Sequence, residues 1–290
     1  MKVKQVNTFA GLGIDSERHI AALNSAPKHF SKDRIEKVTL PSKLTLEYTI
    51  ASSKDELETT ELPIERLVTI NGFVMTKEAW ALIIDLLLDQ WDAKTQSKKL
   101  QILCFDNRGA GGSDAPLARY TTSLMARDTL ELMNHVGWDV AHFIGGSMGD
   151  MIALELAAMM PDRVLSLTLL VTTRGAYLPH PRAWKPFLGR FSADRCSAPW
   201  SCCTQVWRAL THYVSDERLE LVAKSGFPIF IIGSKQDILI PLENSMALIE
   251  RLKGDHVQML IFETGGHGAF FQFAEEIADG LAQTIKRAKL

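Results

Sequence analysis

The chain has 290 residues, 46% hydrophobic and 23% charged, a balance that suits a soluble globular protein whose core needs no disulfide or metal staple. A net charge of -2 without a basic stripe argues against a nucleic-acid partner. No stretch reaches the ~18 apolar residues of a membrane span, because "ALIIDLLL" is short and broken by Asp85. The opening "MKVKQVNTFAGLGIDSERH" lacks the apolar centre of a signal peptide, so a soluble intracellular protein is expected.

Residues 1–36 show no clear period and read as an N-terminal extension. "KLTLEYTI" (43–50) alternates with period two, as a half-buried antiparallel strand does. "RLVTI" (66–70), "LQILCF" (100–105), "AHFIG" (141–145), "VLSLTLLV" (164–171), "FPIFIIG" (227–233) and "VQMLIF" (257–262) read as fully buried strands. Helices are predicted near 77–89, 121–136, 148–159, 241–252 and 272–288. An antiparallel start followed by alternating strands and helices predicts an α/β fold, with a mostly parallel sheet of the eight-stranded type and helices on both faces. Residues 37–171 and 226–290 form this core, and its site should lie at the carboxyl ends of the strands.

Residues 172–225 exceed what one crossover helix needs and read as an inserted lid. The segment holds eight Lys or Arg against four acids, with many aromatics. That mixture suits an apolar acyl chain bearing an anionic group, with Trp184, Arg174 and Arg182 as candidate contacts; a solvated lid surface explains the same residues.

In "AHFIGGSMGDMIALELA" (141–157), Gly145-x-Ser147-x-Gly149 joins a strand to a helix. This pattern fits a nucleophile elbow, where a sharp turn strains the serine backbone and leaves no room for side chains two positions either side. A serine hydroxyl needs a base to take its proton, and the base needs a carboxylate to orient it. Asp237 follows the strand at 227–233, and His267 follows the next, within "GGHG". Taken singly, Asp237 could cap a loop and His267 could be a surface histidine. Taken with Ser147, they stand in the order nucleophile, acid, base, each just past a strand. Of the other histidines, His142 lies in a strand and His135 at a helix end, while His19, His29, His180, His212 and His256 read as surface or loop residues.

Cys104 lies in an apolar run and reads as core. Cys196, Cys202 and Cys203 cluster without a histidine or fourth cysteine at ligand spacing, which favours free thiols over a zinc site. No metal or organic cofactor is expected. The terminal Ala288-Lys289-Leu290 resembles a peroxisomal import signal, implying an import receptor as partner if the source is eukaryotic. Otherwise the location is cytoplasmic, and the tail is a helix end whose cations suit the dipole.

Together with "CFDNRGAGGSD" (104–114) and "TINGFVMTKEAW" (69–80), these motifs resemble the α/β-hydrolase fold superfamily. The likeness is to its lidded branch of small serine esterases and cofactor-free haloperoxidase-like enzymes, over residues 37–288. The resemblance implies a serine hydrolase acting on a carboxylic ester or related acyl compound, with the backbone amides of Phe73 and Met148 as oxyanion donors. A serine at 147 points away from the relatives with an aspartate nucleophile, the epoxide hydrolases and haloalkane dehalogenases. Carbon–carbon bond hydrolases and perhydrolases share the triad, and a low-turnover ligand-binding receptor on this fold is the alternative of another class.

Three features depart from the family pattern. Asn71 stands where a histidine often precedes the glycine, the lid is short, and Asp150 occupies a position usually held by Gly or Ala. Asp150 reads either as an acid stabilised by the helix dipole or as a charge that favours protonated His267 and opposes the oxyanion, slowing acylation.

Overall fold

The computed structural model describes residues 2–6, 29–53, 62–73, 75–91, 97–118, 120–175 and 212–288, and within them every expected strand forms. The period-two run becomes β3 (Thr45–Ser52). The buried runs become β4 (Ile64–Ile70), β5 (Lys99–Phe105), β6 (Ala141–Gly146), β7 (Val164–Leu170), β8 (Ile229–Ser234) and β9 (Val257–Phe262). All pair parallel from β5 through β9, and β3 runs antiparallel to β5.

Two strands were not expected. β1 (Lys2–Val6) pairs parallel with β9, so part of the presumed extension belongs to the sheet, and β2 (Glu36–Thr39) pairs antiparallel with β3. They bring the sheet to nine strands, ordered β1-β9-β8-β7-β6-β4-β5-β3-β2. Both lie at edges. An edge strand is held by backbone pairing to one neighbour, and β2 is almost wholly exposed, so its sequence needs no apolar period.

A 3₁₀ turn (Lys77–Trp80) leads into α1 (Ala81–Gln90), and α6 (Ala274–Arg287) packs beside α1 on one face of the sheet. This face buries Trp80, Ile84, Leu87, Ile232, Phe262, Ile277 and Leu281 in one apolar cluster. The opposite face carries α2 (Thr122–His135), α3 (Met148–Met159) and α5 (Leu242–Leu252), which close over Val68, Phe143, Met151, Leu167 and Met259. The chain steps from β4 outward to β5, then returns to place β6 on the other side of β4. That reversal opens a crevice where the loops after β4 and β6 emerge side by side, and both carry expected site residues.

Two buried polar knots hold the loops around it. Lys77 is 1% exposed, yet its ammonium lies 2.6 Å from Glu47 Oε1 and 3.1 Å from Asp106 Oδ2. Asp106 also accepts the backbone N–H of Lys77 at 2.7 Å and of Gly112 at 2.9 Å, which fastens the loop after β5 to the start of the first helix. Arg108 grips Asp128 of α2 through two 2.6 Å hydrogen bonds.

Of the presumed lid, only its two stems lie within the described residues. Trp184, Arg182, His180 and the three clustered cysteines lie outside them, as do His19, Lys289 and Leu290. The stems meet at a bridge between Gly175 and Tyr213 and lead into α4 (Asp216–Lys224). His212, expected at the surface, is instead buried, with Nδ1 2.9 Å from Thr122 Oγ1 and no hydrogen-bond partner for Nε2. Burial there, with Arg218 adding to it and Glu155 opposing it, pulls the His212 imidazole down from 6.5 to about 4. The unfolded chain therefore binds a proton that the native state refuses between those two values. Stability should fall on acidification from pH 6.5 toward pH 4 by on the order of 3 kcal/mol from this residue. Urea unfolding of the protein and of His212→Gln across that range should show the acid loss flattened in the variant.

Candidate active site

β6 ends at Gly146, and the chain turns directly into α3 through Ser147, whose φ of 58° and ψ of −117° are strained for any residue with a side chain. Such geometry costs of order 1–3 kcal/mol and persists only where surrounding contacts impose it. The flanking glycines show what imposes it. A Cβ on Gly145 would sit 2.5 Å from the carbonyl of Gly149, and one on Gly149 would sit 2.1 Å from the carbonyl oxygen of Ile70. The first turn of α3 is thus pressed against the end of β4. Ser147 N–H continues the sheet by donating to Leu170 O at 3.0 Å.

β8 ends at Ser234, and Asp237 stands three residues on, 4% exposed. Its Oδ1 accepts the backbone N–H groups of Leu239 and Ile240 at 2.8 and 2.9 Å, which fixes the carboxylate and leaves Oδ2 facing the next loop. That loop follows β9, and Gly265 takes φ +106° there before the chain reaches His267. His267 Nδ1 lies 2.8 Å from Asp237 Oδ2, and its Nε2 lies 2.8 Å from Ser147 Oγ. A buried carboxylate at Nδ1 selects the tautomer that donates from Nδ1, so Nε2 is the acceptor for the serine hydroxyl. Three residues separated by up to 120 positions form one hydrogen-bonded line.

The loop after β4 closes the other side. A Cβ on Gly72 would approach Gly146 O at 2.9 Å and the Ser147 Cβ at 3.5 Å, so this loop lies directly against the serine. Phe73 follows and packs on the core, while Met148 is buried at the N-terminus of α3. Asn71 holds the loop. It is fully buried, and its Nδ2 donates to Phe105 O at 2.7 Å while its Oδ1 accepts from Trp80 Nε1 at 2.8 Å. Asn107 Nδ2 donates to Asn71 O at 2.9 Å. Asn71, noted in the sequence only for standing where a histidine is often found, works together with Trp80 and Asn107, whose place inside the quoted motifs was the available signal.

Two expectations change. Arg174, a candidate substrate contact, is 8% exposed and spends its donors on Val214 O at 3.0 and 2.7 Å, on Tyr213 Oη at 3.0 Å and on Asp216. Four of its five N–H donors thus tie residue 174 to residues 213–216, which leaves a single Nη1–H for any anion. Asp150 is fully buried, with Oδ1 accepting Leu170 N–H at 2.8 Å and Oδ2 lacking a hydrogen-bond partner. Burial pushes its carboxyl well above the usual carboxylate range, against the weaker effect of the Leu170 and Ser147 amides. Burial therefore works against the dipole-stabilised ion expected at this position and favours the uncharged carboxyl.

A family model described as the alpha/beta hydrolase fold matches residues 65–195. A putative carbamate hydrolase, RutD, from Pseudomonas savastanoi pv. phaseolicola is 24% identical over 213 residues, covering 61% of this chain and 80% of the relative. A fluoroacetate dehalogenase from a Burkholderia species is 32% identical over 109 residues, covering 36% of this chain and 33% of its own. Among solved structures, the enol-lactonase from Burkholderia xenovorans superposes with a TM-score of 0.67 at 17% identity, over 87% of this chain and 100% of that one. A thermophilic esterase from Thermogutta terrifontis gives 0.66 at 17% identity, over 88% and 98%. Likeness at this identity concerns the fold.

Replacing Asn71 by Ala would leave Phe105 O and Trp80 Nε1 buried and unpaired. The variant should lose about 2–4 kcal/mol of stability, read as a lower denaturation midpoint with an unchanged slope.

Proposed function

We propose that the chain, which carries a match to the alpha/beta hydrolase fold over residues 65–195, is a serine hydrolase of that superfamily cleaving a carboxylic ester or related acyl compound through an acyl-enzyme. The observation that carries this reading is the line Ser147 Oγ–His267 Nε2 and His267 Nδ1–Asp237 Oδ2, 2.8 Å at each step.

In this mechanism Ser147 Oγ attacks the acyl carbon while His267 Nε2 takes its proton. Asp237 stays ionised, keeps the imidazole in register and stabilises its cationic form. The oxyanion forms against the backbone amides of Phe73 and Met148, the first on the loop that lies against Ser147 and the second at the N-terminus of α3. His267 then protonates the leaving group, and water repeats the sequence in reverse to free the acid and restore Ser147.

Similarity to a dehalogenase over a third of its length does not carry that chemistry here, since a serine stands at the position of the attacking residue. With four of its five N–H donors committed to Tyr213, Val214 and Asp216, Arg174 offers an anionic substrate group little support, and an uncharged acyl ester is the simpler substrate.

A fluorophosphonate probe should label the folded protein, and Ser147→Ala should abolish labelling. On an activated ester Ser147→Ala should lower kcat by roughly a million-fold and Asp237→Asn by about ten-thousand-fold, measured over an ester panel varied in acyl length and charge. A folded protein that neither labels nor turns over any member of the panel would remove this reading and leave the ligand-binding alternative.

A further inference from the structure

Asp150 takes no part in the mechanism above, yet its carboxyl is buried in the first turn of the helix that carries the nucleophile. Its side chain reaches across to β7, where Oδ1 accepts the N–H of Leu170, the same residue whose carbonyl accepts the N–H of Ser147. The elbow and the end of β7 are therefore stitched twice, once by backbone and once by this side chain. Immediately after Leu170 the chain turns through Val171 at φ 55°, a strained value for a β-branched residue, so that stitch also fixes where the sheet edge ends and the lid stem begins.

We propose that Asp150 is a positioning residue for Ser147: its buried carboxyl clamps the first turn of α3 to the end of β7 and holds the elbow in attacking geometry. The inference rests on the hydrolase reading for its catalytic consequence, while the clamp itself does not.

The surroundings decide its charge. Among the described residues no Lys, Arg or His makes an ion pair with it. The adjoining ends of β4, β6 and β7 present Ile70-Asn71, Gly145-Gly146 and Leu170-Val171-Thr172, none of them charged. Within α3 the nearest acid is Glu155, more than a turn away and already paired with Arg218 at 2.8 Å. The titratable groups at the elbow are His267, reached through Ser147, and Asp237 behind it. Without a cation, the Leu170 and Ser147 amides do not outweigh burial, so the clamp operates as the neutral acid. The sign follows. The working form is present below the raised pKa and is lost as pH rises through it, when the new charge opposes the oxyanion and favours protonated His267.

Three measurements on the full chain test this. Infrared difference spectra of the protein against Asp150→Asn at neutral pH should show a protonated-carboxyl band that the variant lacks. In stopped-flow acylation by p-nitrophenyl acetate, Asp150→Asn, which keeps shape and neutrality, should stay within about threefold of the parent and should lack the parent's alkaline decline. Asp150→Ala should acylate roughly 10–100-fold more slowly with KM nearly unchanged, because the elbow loses its position and not its substrate contacts. A missing band overturns the proposal, as does Asp150→Asn as slow as Asp150→Ala, an alkaline decline that persists in Asp150→Asn, or Asp150→Ala acylating at the parent rate. If Asp150→Ala fails to fold, the band and the Asp150→Asn profile still decide. A parent protein that shows the band but resists the fluorophosphonate sinks the hydrolase reading and leaves the clamp standing.

Discussion

The rest of the site depends on the close approach of α3 to the end of β4. Where Gly149 passes Ile70 O there is no room for a single methyl group, and the same compression forces Ser147 into its strained turn. A strained backbone relaxes unless its neighbours are rigid. Here the neighbours are three parallel strands, β4, β6 and β7, buried on both faces and fastened to the elbow by the Ser147–Leu170 hydrogen bond. The hydroxyl stands at the crevice because the sheet leaves it nowhere else to go.

Rigidity around the crevice comes from polar groups out of water as much as from apolar packing. Asn71 joins β5 to the first helical turn, Asp106 gathers Lys77 and two loop amides, and Arg108 grips Asp128. Each is a buried group with its partners in place, and removing one partner strands the other in low dielectric. Loops built this way keep one conformation, which is what a donor aimed at a developing oxyanion needs. Asp150 belongs to the same layer but differs in kind, because one of its carboxyl oxygens lacks a hydrogen bond and burial favours its uncharged form.

The stretches at residues 171–175 and 212–216 are anchored by the same means. Arg174 crosses from the end of β7 to Tyr213, Val214 and Asp216, and His212 sits inside, against Thr122 of α2.

Much of this was legible in the chain itself. Ser147, Asp237 and His267 stood out because a glycine-flanked serine, an acid and a histidine each follow a buried strand, and a parallel sheet brings all strand ends to one rim. The central strands were legible because burial on both faces demands continuous apolar runs. Edge strands β1 and β2 make no such demand, so nothing in their residues marked them. The sequence could not tell that His212 is interior, that Arg174 is bound to residues 213–216, or that Asp150 is buried away from any cation. Local pattern determines which way a side chain leaves its own element. Only the tertiary structure decides what that side chain meets, and for a polar or charged group the partners and the loss of water set its charge and its role.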